Sequence, residues 1–86
     1  MKRILFETDD ALEQFNEWER EDKNIFDKII TLLDDARQNP FKGIGKPEPL
    51  KHQLKGCWSR RINKEHRLVY QVTKDAIVVI SCKFHY

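Results

Sequence analysis

Apolar residues along the 86-residue chain change their spacing twice, from alternation to helical periodicity and back to alternation. The segment Lys2-Arg-Ile-Leu-Phe6 is short and β-prone and gives way at Thr8 to a helix N-cap followed by the acidic pair Asp9-Asp10. Ala11, Leu12, Phe15 and Trp18 then recur at helical spacing, with Glu13, Glu17 and Glu21 on other faces, so this stripe is read as core. Asp22 caps a second helix whose apolar set is Ile25, Phe26, Ile29, Ile30, Leu32, Leu33 and Ala36. That helix ends at Asn39-Pro40, because the residue before proline avoids the helical region. Two helices in succession predict an antiparallel pair.

From Phe41 to Pro49 two glycines and two prolines fall within nine residues, which predicts a conformationally restricted loop that delivers Glu48. Beyond the segment Lys51–Lys55, Trp58-Ser-Arg-Arg-Ile62 and His66-Arg-Leu-Val-Tyr70 alternate in polarity on either side of a polar Asn63-Lys-Glu65 turn, the pattern of a β-hairpin. After a turn at Thr73-Lys-Asp75, the β-branched run starting at Ala76 predicts a last strand continuing to Tyr86. Strict alternation there sets Val78, Ile80, Cys82, Phe84 and Tyr86 against Ile77, Val79, Ser81, Lys83 and His85. The order β-α-α-β-β-β predicts one α+β domain over residues 1–86, an N-terminal strand and two antiparallel helices followed by an antiparallel sheet.

Charge sharpens this picture. The net charge is only +2, yet residues 1–39 carry −5 and residues 40–86 carry +7. A segregated basic half suits a phosphate-rich partner, and an acidic half favours docking through one face. No apolar run approaches the roughly 20 residues of a membrane-spanning helix, and the N-terminus shows no apolar signal region, so a cytoplasmic protein is expected. Cys57 and Cys82 lack metal-binding or Cys-x-x-Cys spacing and lie in strand-like runs, where buried reduced thiols are expected.

Glu48 is the only acidic residue between Asp35 and Glu65. A carboxylate among Lys46, Lys51, Arg60, Arg61 and Arg67 can take a proton from a nucleophile held nearby, although a surface salt bridge is an equally good reading of the sequence. Arg67 falls out of phase with Leu68 and Tyr70 and so projects from the non-core face toward a phosphate, whereas His66 shares their phase and is read as structural. His52 is left open. His85 ends up on the arginine face if the last strand lies beside the hairpin, and an imidazole can protonate a leaving oxygen. A base, an acid and guanidinium groups suffice to cleave RNA through its own 2′-OH. The chain has no carboxylate–histidine cluster for a catalytic metal, no Gly-x-Ser-x-Gly and no phosphate-binding glycine loop, so no cofactor is expected.

The words KPEPLKH, WSRRI and EHRLVY, in that order and followed by a terminal His-Tyr, resemble the YoeB toxins of the RelE superfamily, and the resemblance covers essentially the whole chain. It implies a RelE-like, microbial-ribonuclease-like fold and a ribosome-dependent endoribonuclease that cuts mRNA in the ribosomal A site. Glu48 matches the family's base, Arg67 its phosphate-binding arginine and His85 its general acid, while Lys51, Arg61 and Tyr86 match supporting positions. The exposed cations Lys46, Lys51, Lys55, Arg60 and Arg61, together with Tyr86, are expected to bind RNA or the ribosome. The resemblance further implies a YefM-like antitoxin, operator DNA bound through the toxin–antitoxin complex, and a homodimer as a further assembly to look for. The N-terminal third departs from the family's wording while keeping its helical pattern. A non-catalytic nucleic-acid-binding module would need the arginines and lysines but neither Glu48 nor His85; a ribosome-independent ribonuclease would need all of them.

Overall fold

The computed structural model describes residues 1–84. Strand β1 (Arg3–Phe6) leads into helix α1 (Asp9–Glu21), capped as expected by Thr8, whose Oγ1 accepts from the Ala11 N–H at 3.1 Å. Asp22 closes α1 and caps α2 (Lys23–Gln38), accepting from the Asn24 and Ile25 N–H groups. The helices run into β2 (Glu48–Pro49), β3 (Cys57–Arg61), β4 (Arg67–Val72) and β5 (Ala76–Ser81), with a 3-10 turn at His52–Leu54.

The sheet order is β1-β5-β4-β3-β2. The four strands after the helices pair antiparallel, as the alternation predicts, and β1 adds to β5 in parallel, with Arg3 opposite Ala76 and Phe6 opposite Val79. That parallel pair makes the sheet mixed. It follows from the two-helix crossover, which carries the chain away from β1 before the antiparallel strands begin. Residues 41–49, expected to be loop throughout, contribute the short edge strand β2, because Glu48 and Pro49 pair with Ser59 and Trp58.

Both helices lay their stripes on one sheet face. Trp18, Ile29, Leu32, Leu33 and Ala36 meet Ile62, Leu68, Tyr70, Ile77, Val79 and Cys82 there. Leu12 and Ile30, counted in the helical stripes, lie at their margins and are exposed. The last strand also departs from strict alternation. Tyr70 pairs with Val79 but Val69 with Ser81, so a bulge inserts one residue and reverses the phase, and Cys82 is buried in the same core as Val79. Regular strand structure stops at Ser81 and does not continue through residues 82–84. Phe84 takes a left-handed backbone (φ 62°) that no strand continues through. His85 and Tyr86 lie outside the described residues.

Candidate active site

Arg61 opposes Arg67 across the β3–β4 ladder, and Ser59 opposes both Val69 and Glu48. Period-two alternation therefore puts Glu48, Ser59, Arg61 and Arg67 on one patch of the sheet face turned away from the helices. Glu48 Oε1 and Arg67 Nη1 form an ion pair at 3.1 Å, and the same Arg67 nitrogen donates to Ser59 Oγ at 3.0 Å. The Arg67 side chain is 23% exposed and that of Glu48 is 56% exposed, so the guanidinium is held while the carboxylate stays open to solvent. Ser59 was not singled out from the sequence, although its two-residue offset from Arg61 already places it on this face.

Lys46, Lys51, Lys55 and Arg61 are exposed, and none has an ion-pair partner among the described residues. His52 is exposed at the start of the 3-10 turn. His85 and Tyr86, the expected acid and its neighbour, fall beyond the described residues.

Arg60 corrects the expectation that it docks on phosphates. Its side chain is completely buried. The guanidinium donates to Asp35 Oδ2, to the carbonyls of Asn39, Lys42 and Ile44, and through Nε to Tyr70 Oη, which itself donates to the Pro40 carbonyl at 2.7 Å. Trp58, Arg60 and Ile62 share the helix-facing phase of β3, so alternation sends Arg60 inward. There the carbonyls of the turn after α2 satisfy its donors, and the charge-assisted bonds offset its desolvation. The hydrogen bond from Arg60 holds the Asp35 carboxyl below its ordinary range against the opposing pull of burial, aided by the Ile44 N–H. Burial pushes the Tyr70 hydroxyl up, which keeps its proton in place as a donor.

This hub shapes the approach to Glu48. Gly43 (φ 122°) passes so close to Asp35 that a Cβ would lie 2.1 Å from Oδ2. Gly45 (φ 79°) has Leu32 Cδ2 2.6 Å from its would-be Cβ and offers its carbonyl to the Arg61 N–H at 2.7 Å. The two glycines are thus required by close approach, and the loop they form reaches β2 in a fixed register.

Among the described residues no group of three or more His, Cys, Asp or Glu side chains is arranged to hold a metal. Cys82 is buried, and burial raises its thiol to about 12; half-buried Cys57 is also raised, by burial and then by Glu7. Neither is poised as a nucleophile. His66 is buried on the core side, where its phase put it, with its ring edge-on to Trp18 at 4.8 Å.

The profile of a family described as YoeB-like toxin of bacterial type II toxin-antitoxin system matches residues 6–86. The chain belongs to the YoeB toxin family. It is 49% identical over 82 residues to Toxin YoeB of Escherichia coli (strain K12), covering 95% of this chain and 98% of that one. Among solved structures, a YoeB–YefM complex from Staphylococcus aureus superposes with a TM-score of 0.89 at 44% identity, over 100% of this chain and 99% of the other. A YoeB dimer from the same organism gives 0.91 at 45% identity, over 99% and 98%. The YoeB family match covers all of the basic half, and with it Glu48, Ser59, Arg61 and Arg67.

Proposed function

We propose that the protein is a metal-independent endoribonuclease that cleaves mRNA in the ribosomal A site and so stops translation. The observation that carries this reading is the Glu48–Arg67 pair, 3.1 Å apart on an open basic face. In RNA the 2′-OH and the adjacent phosphate are near neighbours, so a carboxylate and a guanidinium in contact can address both at once. Glu48 takes the proton of the 2′-OH, and the 2′-oxygen forms a bond to phosphorus. Arg67 stabilises the charge on the non-bridging oxygens, the P–O5′ bond breaks, and His85 gives a proton to the departing 5′-oxygen. The products are a 2′,3′-cyclic phosphate and a 5′-hydroxyl. Lys46, Lys51, Lys55 and Arg61, with Tyr86, supply the cations and the ring that dock on RNA and the ribosome.

The partners follow the same reading. A YefM-like antitoxin neutralises the toxin, the complex of the two binds operator DNA, and a homodimer is a further assembly. The relatives solved as a YoeB–YefM complex and as a YoeB dimer support the first and last of these.

The test is cleavage of a message on translating ribosomes. Glu48→Gln is expected to slow it by ~100- to 10,000-fold, and 2′-deoxyribose at the scissile nucleotide to block it. A 5′-phosphate on the downstream fragment, or full activity of Glu48→Gln, would refute internal attack with this base.

A further inference from the structure

Residues 81–84 close the described part of the structure, and nearly every polar group in them has a partner. Gln14 Oε1 accepts from the Cys82 N–H at 2.9 Å and from Ser81 Oγ at 3.2 Å, and the Trp18 indole N–H donates to the Cys82 carbonyl at 2.9 Å. The Lys83 ammonium reaches Glu17 at 2.6 Å and Glu21 at 3.4 Å. The Phe84 N–H donates to His66 Nδ1 at 2.7 Å, and the Phe84 carbonyl accepts from the Arg67 N–H at 2.8 Å. Phe84 itself is 62% exposed and sits in a left-handed conformation that costs energy for a residue with a Cβ. Burial of its own ring therefore does not hold it; its backbone bonds do.

His66 is the centre of this clamp. It is buried, packed between Trp18 (4.8 Å) and Phe84 (5.6 Å), and fixed at its own backbone because its N–H donates to Asn63 Oδ1 at 2.7 Å. To accept from Phe84, Nδ1 must be unprotonated, so the ring carries its proton on Nε2, the nitrogen turned toward Glu65 Oε1 at 3.8 Å. Resting on the reading of His85 as the acid, we infer that His66 is a positioning residue for that acid. The carbonyl tied to Arg67 belongs to the peptide unit that joins Phe84 to His85, and Arg67 also holds Glu48. His66 thus helps fix the Phe84 end of that peptide unit relative to the base and the phosphate-binding group. Misplacement of a catalytic group by about 1 Å costs on the order of 100-fold in rate.

The experiment compares an ordinary message with one carrying sulfur in place of the bridging 5′-oxygen at the mapped scissile phosphate. A thiolate, with a thiol value of about 8.5, leaves without an acid's help. His66→Phe keeps a ring against Trp18 but removes the acceptor; His66→Asn puts Oδ1 where Nδ1 stood. On the oxygen substrate His66→Phe and His85→Ala are expected to lower kcat at little cost in KM, His66→Phe by ~10- to 100-fold. His66→Asn should stay within about threefold of the parent because it retains the acceptor. On the sulfur substrate both slow variants should return to the parent rate, while Glu48→Gln stays slow. If His85→Ala recovers and His66→Phe does not, or if His66→Phe is fully active on oxygen, the inference about His66 is overturned and the acid stands. If His85→Ala is not slowed on oxygen or not restored by sulfur, the acid reading itself falls. Thermal unfolding accompanies each variant. Should His66→Phe fail to fold, His66→Leu takes its place, since it too removes the acceptor for the Phe84 N–H, and the same substrate pair decides.

Discussion

Arg60 and Asp35, 25 residues apart in sequence, meet beneath the loop that leads to Glu48, and the guanidinium that binds the carboxylate also gathers the carbonyls of Asn39, Lys42 and Ile44. Removing one partner of a buried charged pair leaves the other unpaired. Arg60→Leu is therefore expected to destabilise the fold by about 3–5 kcal/mol, while Arg61→Leu, at an exposed site, should change stability by less than ~0.5 kcal/mol. Urea unfolding of the two variants checks this. Equal stabilities would show that Arg60 is no more structural than its neighbour.

Arg60 also shows how far the sequence could be read. Caps at Thr8 and Asp22, the helical stripes and the hairpin turn at Asn63–Glu65 were legible because each depends on residues a few positions apart. The phase of Arg60 was legible too, since it matches Trp58 and Ile62. Charge alone argued for exposure, and the acceptors that make burial tolerable come from a turn some twenty residues away. Likewise the parallel docking of β1, the pairing of β2 and the bulge at Val69 depend on long-range partners. Glu48 and Arg67 were found as candidates from isolation and phase, but their contact required the β2–β3–β4 register.

Acid should loosen the same hub. Because the hydrogen bond from Arg60 holds the Asp35 carboxyl below its ordinary value of 3.8, the unfolded chain takes up this proton first as pH falls. The contribution is fully present above that value and is lost as pH drops through the lower folded one. Denaturant midpoints between pH 7 and pH 2.5 should fall less steeply in Asp35→Asn than in the parent. Parallel slopes would remove Asp35 from the acid response.

The thiols should behave differently from each other. Cys82 is fully buried and raised to about 12 by burial, whereas Cys57 is half-buried. In the native protein at pH 8, iodoacetamide is expected to label Cys57 first and Cys82 only on unfolding, as intact mass would record. An unfolded thiol ionises near its ordinary 9.0, so between 9.0 and about 12 the folded chain keeps a proton at Cys82 that the unfolded chain loses, and stability should fall as pH rises. Prompt labelling of Cys82 would mean that the Trp18 and Gln14 contacts around it open easily.

Free RNA should be a poor substrate and the translating ribosome a good one. Proteins that grip single strands without sequence preference use aromatic platforms worth ~1–3 kcal/mol per base. Here Trp18 is buried and Trp58 is half-buried against the core with Phe41 at 5.0 Å, and Phe84 packs on His66, so the exposed rings among the described residues, Phe41 and Phe84, are each engaged by a neighbouring ring. Two such rings and a set of dispersed cations can attract a strand but cannot hold a 2′-OH in line with its phosphate. Under the proposed function a ribosome would present a codon in fixed geometry and turn the same cations into contacts with ribosomal RNA, an arrangement that would supply orientation from outside. Cleavage of one message, free and ribosome-bound, should then differ by orders of magnitude at low salt, with the ribosome-bound rate falling steeply as salt rises. Replacing Lys51, Lys55 and Arg61 by alanine should flatten that salt dependence while Glu48→Gln leaves its slope unchanged and lowers the rate throughout. Equal rates on free and ribosome-bound message would sink ribosome dependence and leave a free-standing ribonuclease.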